Sequence, residues 1–192
     1  MFILGINSSP RIGGNTDILI DKSLGGARLK GAETEKIILN KLKFSPCQEC
    51  ENTRDDGVCI IEDDMQFVYK KIKKADAIIL ASPIFFGSLS AQMKMMIDRF
   101  QCIWKAKYIY KKDLYKTMRT GAFICVAASK RIDFFNNAKS IVRNFFKVIS
   151  VDYKEELFCP GIDKKGEILK HPEFLEESFE LGRRIAFIKL EG

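Results

Sequence analysis

No apolar run in this chain approaches the roughly 20 residues that a membrane span needs, so no transmembrane helix is expected. Histidine is almost absent. The one residue, His171, stands directly before Pro172 and reads as the opening of a helix rather than as a catalytic base. No internal repeat, low-complexity tract or linker marks a second domain, and 192 residues fit one, 1–192. Two phosphate-binding signatures are missing as well. The first loop is not G-x-x-x-x-G-K-[ST], which argues against a nucleoside triphosphatase. It is not G-x-G-x-x-G either, because Gly5 is followed by Asn7 and Ser8 instead of a second close glycine. The net charge of +7 is not gathered into a basic face; only Lys105 to Arg119 is locally basic, so no nucleic-acid partner is expected. Met1 runs straight into an apolar stretch, so neither a signal nor a transit peptide is expected. The chain is read as cytoplasmic, with its six cysteines reduced and no disulfide framework.

What is present is organised around the first stretch. The short apolar run Phe2 to Ile6 breaks into Asn7-Ser8-Ser9-Pro10-Arg11-Ile12-Gly13-Gly14, and a helical pattern starts at Asn15. In a parallel α/β sheet, a strand, tight loop and helix N-terminus form an anion pocket. The unpaired N–H groups of the first turn point outward and the helix dipole favours negative charge. Ser8, Ser9, Asn15 and Thr16 add side-chain donors and Arg11 a cation, so the loop reads as a phosphate seat. Taken alone, an ordinary strand-to-helix turn capped by Asn15 is the safer reading.

Further along, the patterns predict a helix over 15–29 whose end Gly25, Gly26 and Gly31 soften, a strand over 33–39, and an irregular stretch over 40–59. They go on to a helix capped by Asp63 or Asp64 and running to Lys74, a strand over 76–82, a loop over 83–88 and a helix over about 89–104. A strand over 120–128, a helix over 134–149, a strand over 151–158 and a helix from Pro172 to about Leu190 complete the chain. This alternation is the pattern of a doubly wound five-stranded parallel sheet, and right-handed crossovers give the flavodoxin-like order 2-1-3-4-5. Ligands then bind at the carboxyl ends of strands one and three. The loop after strand three, Ser82-Pro83-Ile84-Phe85-Phe86-Gly87-Ser88, offers an apolar wall and a glycine that permits close backbone approach, as a planar redox ring requires. An apolar turn on the core explains the phenylalanines equally well, but not why both loops meet at one switch point.

The combination of Ser9-Pro10-Arg11, Gly14-Asn15-Thr16, Ser82 to Ser88 and Ser90-Ala91-Gln92-Met93-Lys94-Met95-Met96-Ile97-Asp98-Arg99 resembles the FMN-binding flavodoxin-like oxidoreductases, and most specifically the iron–sulfur flavoproteins. The resemblance implies an FMN whose phosphate sits on Ser9, Pro10, Arg11, Asn15 and Thr16 and whose ring lies against Pro83, Ile84, Phe85, Phe86, Gly87 and Ser88. Two departures stand out: the family often has Tyr at the place of Phe85, and the loop 127–131 lacks the glycines often found there. The resemblance also implies a homodimer or homotetramer. The aromatic, basic segment 105–119, with Trp104, Tyr108, Tyr110 and Tyr115, reads as an interface, a flavin lid or simply an exposed loop.

Cys47-Gln48-Glu49-Cys50, with Cys59 nine residues on, lies in the loop 40–62 and has a chelating or redox spacing. The family's motif, C-x2-C-x2-C-x5-C, falls here on Cys47, Cys50, Thr53 and Cys59, so the third ligand is missing. Four readings stay open: an iron–sulfur cluster with a non-cysteine ligand such as Asp55 or Asp56, a zinc ion, a redox-active thiol pair, or the remnant of a lost site. The favoured expectation is the family's loop without a robust four-iron cluster. Cys102, Cys125 and Cys159 are expected in the core. Cys125 to Arg131 also fits C-x5-R, the phosphate loop of tyrosine phosphatases, but Cys125 lies inside an apolar run and the match reads as chance.

The functional expectation is an FMN oxidoreductase, with no catalytic side chain required because the flavin carries the chemistry. NAD(P)H or a donor protein would supply electrons, and a small acceptor or redox protein would take them. An electron carrier like flavodoxin is the first rival, disfavoured by the positive charge. A cysteine-based metal or redox sensor is the second.

Overall fold

The computed structural model describes residues 1–50, 55–115 and 118–187. In chain order its elements are β1 (Phe2–Asn7), α1 (Asn15–Leu29), β2 (Glu33–Ile38), α2 (Met65–Lys74), β3 (Ala77–Phe85), β4 (Ser88–Leu89), α3 (Ala91–Asp98), α4 (Gln101–Trp104), β5 (Arg119–Ala127), α5 (Ile132–Val148), β6 (Val151–Pro160) and α6 (Pro172–Phe187). The long strands run parallel in the order β2-β1-β3-β5-β6. With the two-residue β4 set aside, this is the flavodoxin-like 2-1-3-4-5.

Period-two alternation divides the core between the two faces of the sheet. Leu4, Ile6, Ile78, Leu80 and Phe123 meet Val68, Ile72, Met93, Met96, Val142 and Phe146 from α2, α3 and α5, and Phe100 from the junction of α3 and α4. Ile3, Ala77, Ile79, Ala122 and Ile124 meet Leu19, Ile20, Leu24, Leu181 and Ile185 from α1 and α6. At the lower end, buried Arg119 donates to the Ile72 and Ile149 carbonyls, near the last turns of α2 and α5, and stacks on Tyr115 at 4.5 Å. A cation is favourable at helix C-termini, where carbonyls lack partners.

Three predicted features change in kind, while the other bounds shift by one or two residues, such as α5 beginning at Ile132 and β6 ending at Pro160. The segment 83–88 is not a plain loop: β3 continues to Phe85 and turns tightly into β4, with Ile84 opposite Leu89 and Phe85 opposite Ser88. The turn residues Phe86 and Gly87 both have positive φ, 50° and 75°, the signature of a two-residue I′ hairpin. The helix predicted over 89–104 begins only at Ala91, because Ser90 is its N-cap and accepts from the Met93 N–H at 3.4 Å. It breaks at Arg99–Phe100 before α4, which runs on into a π-helical turn over Lys105–Ile109. The predicted end of the last helix near Leu190 lies outside the described residues, as does Thr53.

Candidate functional site

At the carboxyl ends of β1, β3, β5 and β6 the chain leaves an open cleft of about 220 Å³ lined by Ser9, Arg11, Asn15, Thr16, Pro83, Ile84, Phe85, Phe86, Val126, Ala128, Ile162 and Asp163. The two loops expected to cooperate therefore border one space. Pro10, Gly87 and Ser88, expected in the same site, do not line it. Gly87 instead makes the hairpin. A Cβ there would sit 3.0 Å from the Phe134 ring, and its carbonyl accepts from Asn137 at 2.8 Å.

The first loop is largely satisfied by itself. The Ser9 N–H donates to Asn7 Oδ1 at 2.9 Å, the Arg11 N–H to Ser9 Oγ at 3.2 Å and the Gly14 N–H to the Arg11 carbonyl at 2.9 Å. Ser8 is not a cleft donor: it is buried, and its hydroxyl bonds Ser90 Oγ at 2.8 Å. Ser90 in turn donates its N–H to Ser82 Oγ at 3.1 Å, so buried serines pin the first loop to the end of β3. What remains open is the start of α1. Its N-cap is Gly14, with no side-chain cap, while Asn15 and Thr16 are buried. A helix N-terminus that is buried and uncapped, with first-turn N–H groups lacking intrahelical partners, calls for an anion. Thr16 lines the cleft there.

Asp17, missed by sequence reasoning, fixes this loop. Its carboxylate accepts from Asn7 Nδ2, the Gly13 N–H and Lys36 Nζ, each at 2.8 Å. Burial alone would raise its pKa; the bonds from Lys36, Gly13 and Asn7 outweigh it and hold the carboxyl below the usual range. A depressed folded-state pKa stabilises the fold fully above the unfolded-state value of about 4, and that stability is lost as pH falls through the folded-state value. The unfolding midpoint of the wild type is therefore expected to fall below about pH 4. An Asp17→Asn protein, less stable at neutral pH, is expected to show a flatter acid limb. An unchanged acid limb in that variant would remove Asp17 as its source.

Arg11 and Asn15 are also tied to a distant segment. Asn15 donates to the Lys164 carbonyl at 2.9 Å and accepts from the Ile168 N–H at 3.2 Å, and Arg11 donates to the Asp163 carbonyl at 2.9 Å. Asn15 thus spends its amide on holding the 162–168 loop rather than capping α1. Lys165 lies over Gly13, its Cε 3.9 Å from where a Cβ would be. No local signal announced Ile162 or Asp163, although the sheet order carries the end of β6 to this spot. On the other side, Phe85 is half-exposed and Phe86 fully exposed at the cleft mouth, the latter held at a φ that costs a non-glycine residue roughly 1–3 kcal/mol.

Among the described residues of the segment 105–119, read as an interface, a flavin lid or an exposed loop, none lines the cleft. Lys107 donates to the Lys147 carbonyl and Ser150 Oγ beside the start of β6, at the opposite end of the sheet. Tyr115 is buried there, and Trp104 and Tyr108 line a separate groove beside α5. His171 bonds Glu173 at 3.1 Å at the start of α6. Cys125 is fully buried in β5, where burial pushes its thiol up, and Arg131 pairs with Asp133 at 2.6 Å, so the C-x5-R pattern builds no phosphate loop.

Cys47, Cys50 and Cys59 are half-buried and line one small void, with Arg99, Gln101 and Lys105. The fourth cysteine of this void is Cys102, expected as a core residue: it is buried, but it also borders the void. Among the described residues no three Cys, His, Asp or Glu side chains stand close enough to share a single metal ion. A cubane cluster differs, since each thiolate takes a different iron and the sulfurs surround a space rather than a point. Arg99 organises the wall: buried, it pairs with Asp63 at 2.5 Å and donates to the Ser45 and Ile61 carbonyls and to Cys59 Sγ at 3.3 Å. Burial would lower its pKa, but Asp63 and Cys59 outweigh that and raise it, keeping the guanidinium charged.

A parallel sheet in this order, with an uncapped helix start and an aromatic turn bordering one cleft at its switch point, defines a flavodoxin-like α/β protein. The sequence profile described as NADPH-dependent FMN reductase matches residues 1–145. The chain is 44% identical to an iron–sulfur flavoprotein of Methanocaldococcus jannaschii, covering 97% of this chain and 96% of that one. It is 34% identical to an iron–sulfur flavoprotein of Methanosarcina thermophila over 68% of this chain and 65% of that one. The structure of a flavone reductase matches 97% of this chain and 62% of its own with a TM-score of 0.77, at 21% identity, which shows the shared fold. The chain belongs to the NADPH-dependent FMN reductase family and is an FMN-dependent oxidoreductase.

Proposed function

We propose that the cleft binds FMN with its phosphate at the start of α1 and its ring against Pro83 to Phe86, and that the protein moves electrons from NAD(P)H to a small acceptor or redox protein. The observation that carries the reading is the buried, uncapped N-terminus of α1 opening into the same cleft as the aromatic turn. Thr16 and the first-turn N–H groups hold the phosphate, and Arg11 adds charge. Ser9 positions the Arg11 N–H, and Asn15 keeps the 162–168 loop against the seat. Ile84 and Phe85 supply the apolar wall, and Phe86, exposed at the mouth, is placed to cover the ring's outer edge. Bound FMN supplies hydride and one-electron chemistry, so the chain needs no proton-transferring side chain of its own. The nicotinamide donor is supported by the family's description and by a Bacillus subtilis relative, 31% identical over 52% of this chain, whose name gives it as an NAD(P)H-dependent FMN-containing oxidoreductase.

The test is steady-state oxidation of NADH and NADPH by the FMN-loaded protein with a quinone or ferricyanide as acceptor. Turnover with neither nucleotide would leave a carrier fed by a donor protein. In the same assay Phe85→Ala is expected to shift flavin affinity or potential. Phe123→Ala, at a fully buried position in β5, is expected to leave the flavin alone and cost roughly 3–5 kcal/mol of stability. A Phe85→Ala protein with wild-type flavin binding and potential would remove the second loop from the site.

We further propose that the cysteine void holds an iron–sulfur cluster, on the strength of the curated relatives' names and of a donor set made of thiols.

A further inference from the structure

The structure assigns Cys102 as the thiolate that replaces the missing third cysteine of the C-x2-C-x2-C-x5-C pattern. This rests on the cluster reading above. The motif position, Thr53, carries no thiol. Cys102 comes from α4, 43 positions beyond Cys59, and yet borders the same void as Cys47, Cys50 and Cys59. Its Sγ and that of Cys59 both bond one residue: Arg99 Nη2 donates to Cys59 Sγ at 3.3 Å, and Cys102 Sγ donates to the Arg99 carbonyl at 3.5 Å. Arg99 lies at the break between α3 and α4, and Cys102 in the first turn of α4 just after it.

A second observation points to an anionic ligand at this place. Arg99 is 1% exposed, lines the void, and has a buried Nε–H with no hydrogen-bond partner among the described residues. An orphaned guanidinium N–H in a protein interior is costly, and a sulfide or thiolate acceptor would relieve it. Hydrogen bonds of this kind to cluster sulfurs also set reduction potential. The void is about 30 Å³ as it stands, smaller than a cubane, so loading must widen it. The yielding side is the half-buried loop with Cys47, Cys50 and Cys59, while Cys102 and Arg99, both buried, form the fixed wall.

FMN-loaded protein reconstituted without oxygen with ferrous iron and sulfide, then desalted, decides the assignment by its iron content. The wild type is expected to hold about four irons per chain. Cys102→Ala is expected to hold fewer than about one, with FMN content and unfolding midpoint kept, and Thr53→Cys/Cys102→Ala to return to about four. Cys125→Ala, which removes a thiol inside the sheet, is expected to match the wild type. Thr53→Cys alone is expected to gain nothing, because Cys102 already fills the fourth place. That arm leaves Cys102 intact and decides the question if Cys102→Ala fails to fold. A Cys102→Ala protein with wild-type iron, or a Thr53→Cys protein holding several times more iron than the wild type, overturns Cys102 as a ligand and leaves the cluster reading standing. No iron in either the wild type or Thr53→Cys overturns the cluster reading, and the assignment with it.

Discussion

Riboflavin is expected to bind the protein at least about a hundredfold more weakly than FMN, because it lacks the phosphate that we propose the start of α1 holds. Two charge-assisted bonds, each worth about 1.5–3 kcal/mol, amount to roughly 3–6 kcal/mol, or about two to four powers of ten in affinity. Thr16→Ala is expected to remove about one such bond, weakening FMN roughly 10–100-fold and leaving riboflavin unchanged. Asn15→Ala is expected to act differently. Its amide holds the Lys164 carbonyl and the Ile168 N–H, so both flavins should weaken together as the 162–168 loop loosens. Titration of flavin fluorescence separates the cases. Equal affinities for FMN and riboflavin in the wild type would show that the uncapped helix start is not a phosphate seat.

That contrast explains how much of the site was legible in the sequence. Residues that line the cleft from their own loops, Ser9, Arg11, Thr16 and Pro83 to Phe86, could be read because strand, breaker and helix start follow one another locally. The partners that give those residues their roles could not. Asp163, Lys164 and Ile168 lie about 150 positions from the residues they bond, and only the β6 crossover brings them near. Ser8 was misread for a related reason: a serine beside a phosphate loop looks like a donor until Ser90 is found 82 positions away taking its hydroxyl inward. The β4 hairpin escaped notice because Phe86 occupies a left-handed turn position that Asn or Gly normally fills. Cys102 looked like core because it is core; its second face is visible only once α4 is seated against the cysteine loop.

The fold was more legible than the contacts that lock it. The bounds of α1, Asn15–Leu29, and the strand order follow from periodicity and crossover handedness, since the chain obeys those rules throughout. Gly26, however, does not soften the end of α1. It is buried where α6 crosses, and with Gly182 it lets two helix backbones touch.

Gly182→Ala is accordingly expected to be among the most destabilising single changes in the chain. A Cβ at Gly182 would stand 1.7 Å from the Ser23 carbonyl oxygen and 2.6 Å from its carbon, both backbone atoms that no rotamer change can move aside. A Cβ at Gly26 would meet the Phe179 carbonyl oxygen at 2.0 Å. Either substitution forces α6 away from α1, loosening Leu181 and Ile185 from Leu19, Leu24 and the sheet, and straining the 2.7 Å bond from Ser178 Oγ to the Leu19 carbonyl. Overpacking costs about 1–3 kcal/mol where side chains can give way, and the upper end or beyond is expected where only backbone can. Gly25, the immediate neighbour, supplies the control. A Cβ there would meet only the Arg28 side chain at 3.8 Å, so Gly25→Ala is expected to stabilise α1 by roughly 0.5–1 kcal/mol. Urea unfolding of the three variants reads the contrast directly. Because α1 also carries the proposed phosphate seat at its other end, Gly182→Ala should weaken FMN binding along with stability, whereas Gly25→Ala should leave it intact. A Gly182→Ala protein as stable as the wild type would mean that α6 is not clamped to α1 backbone to backbone.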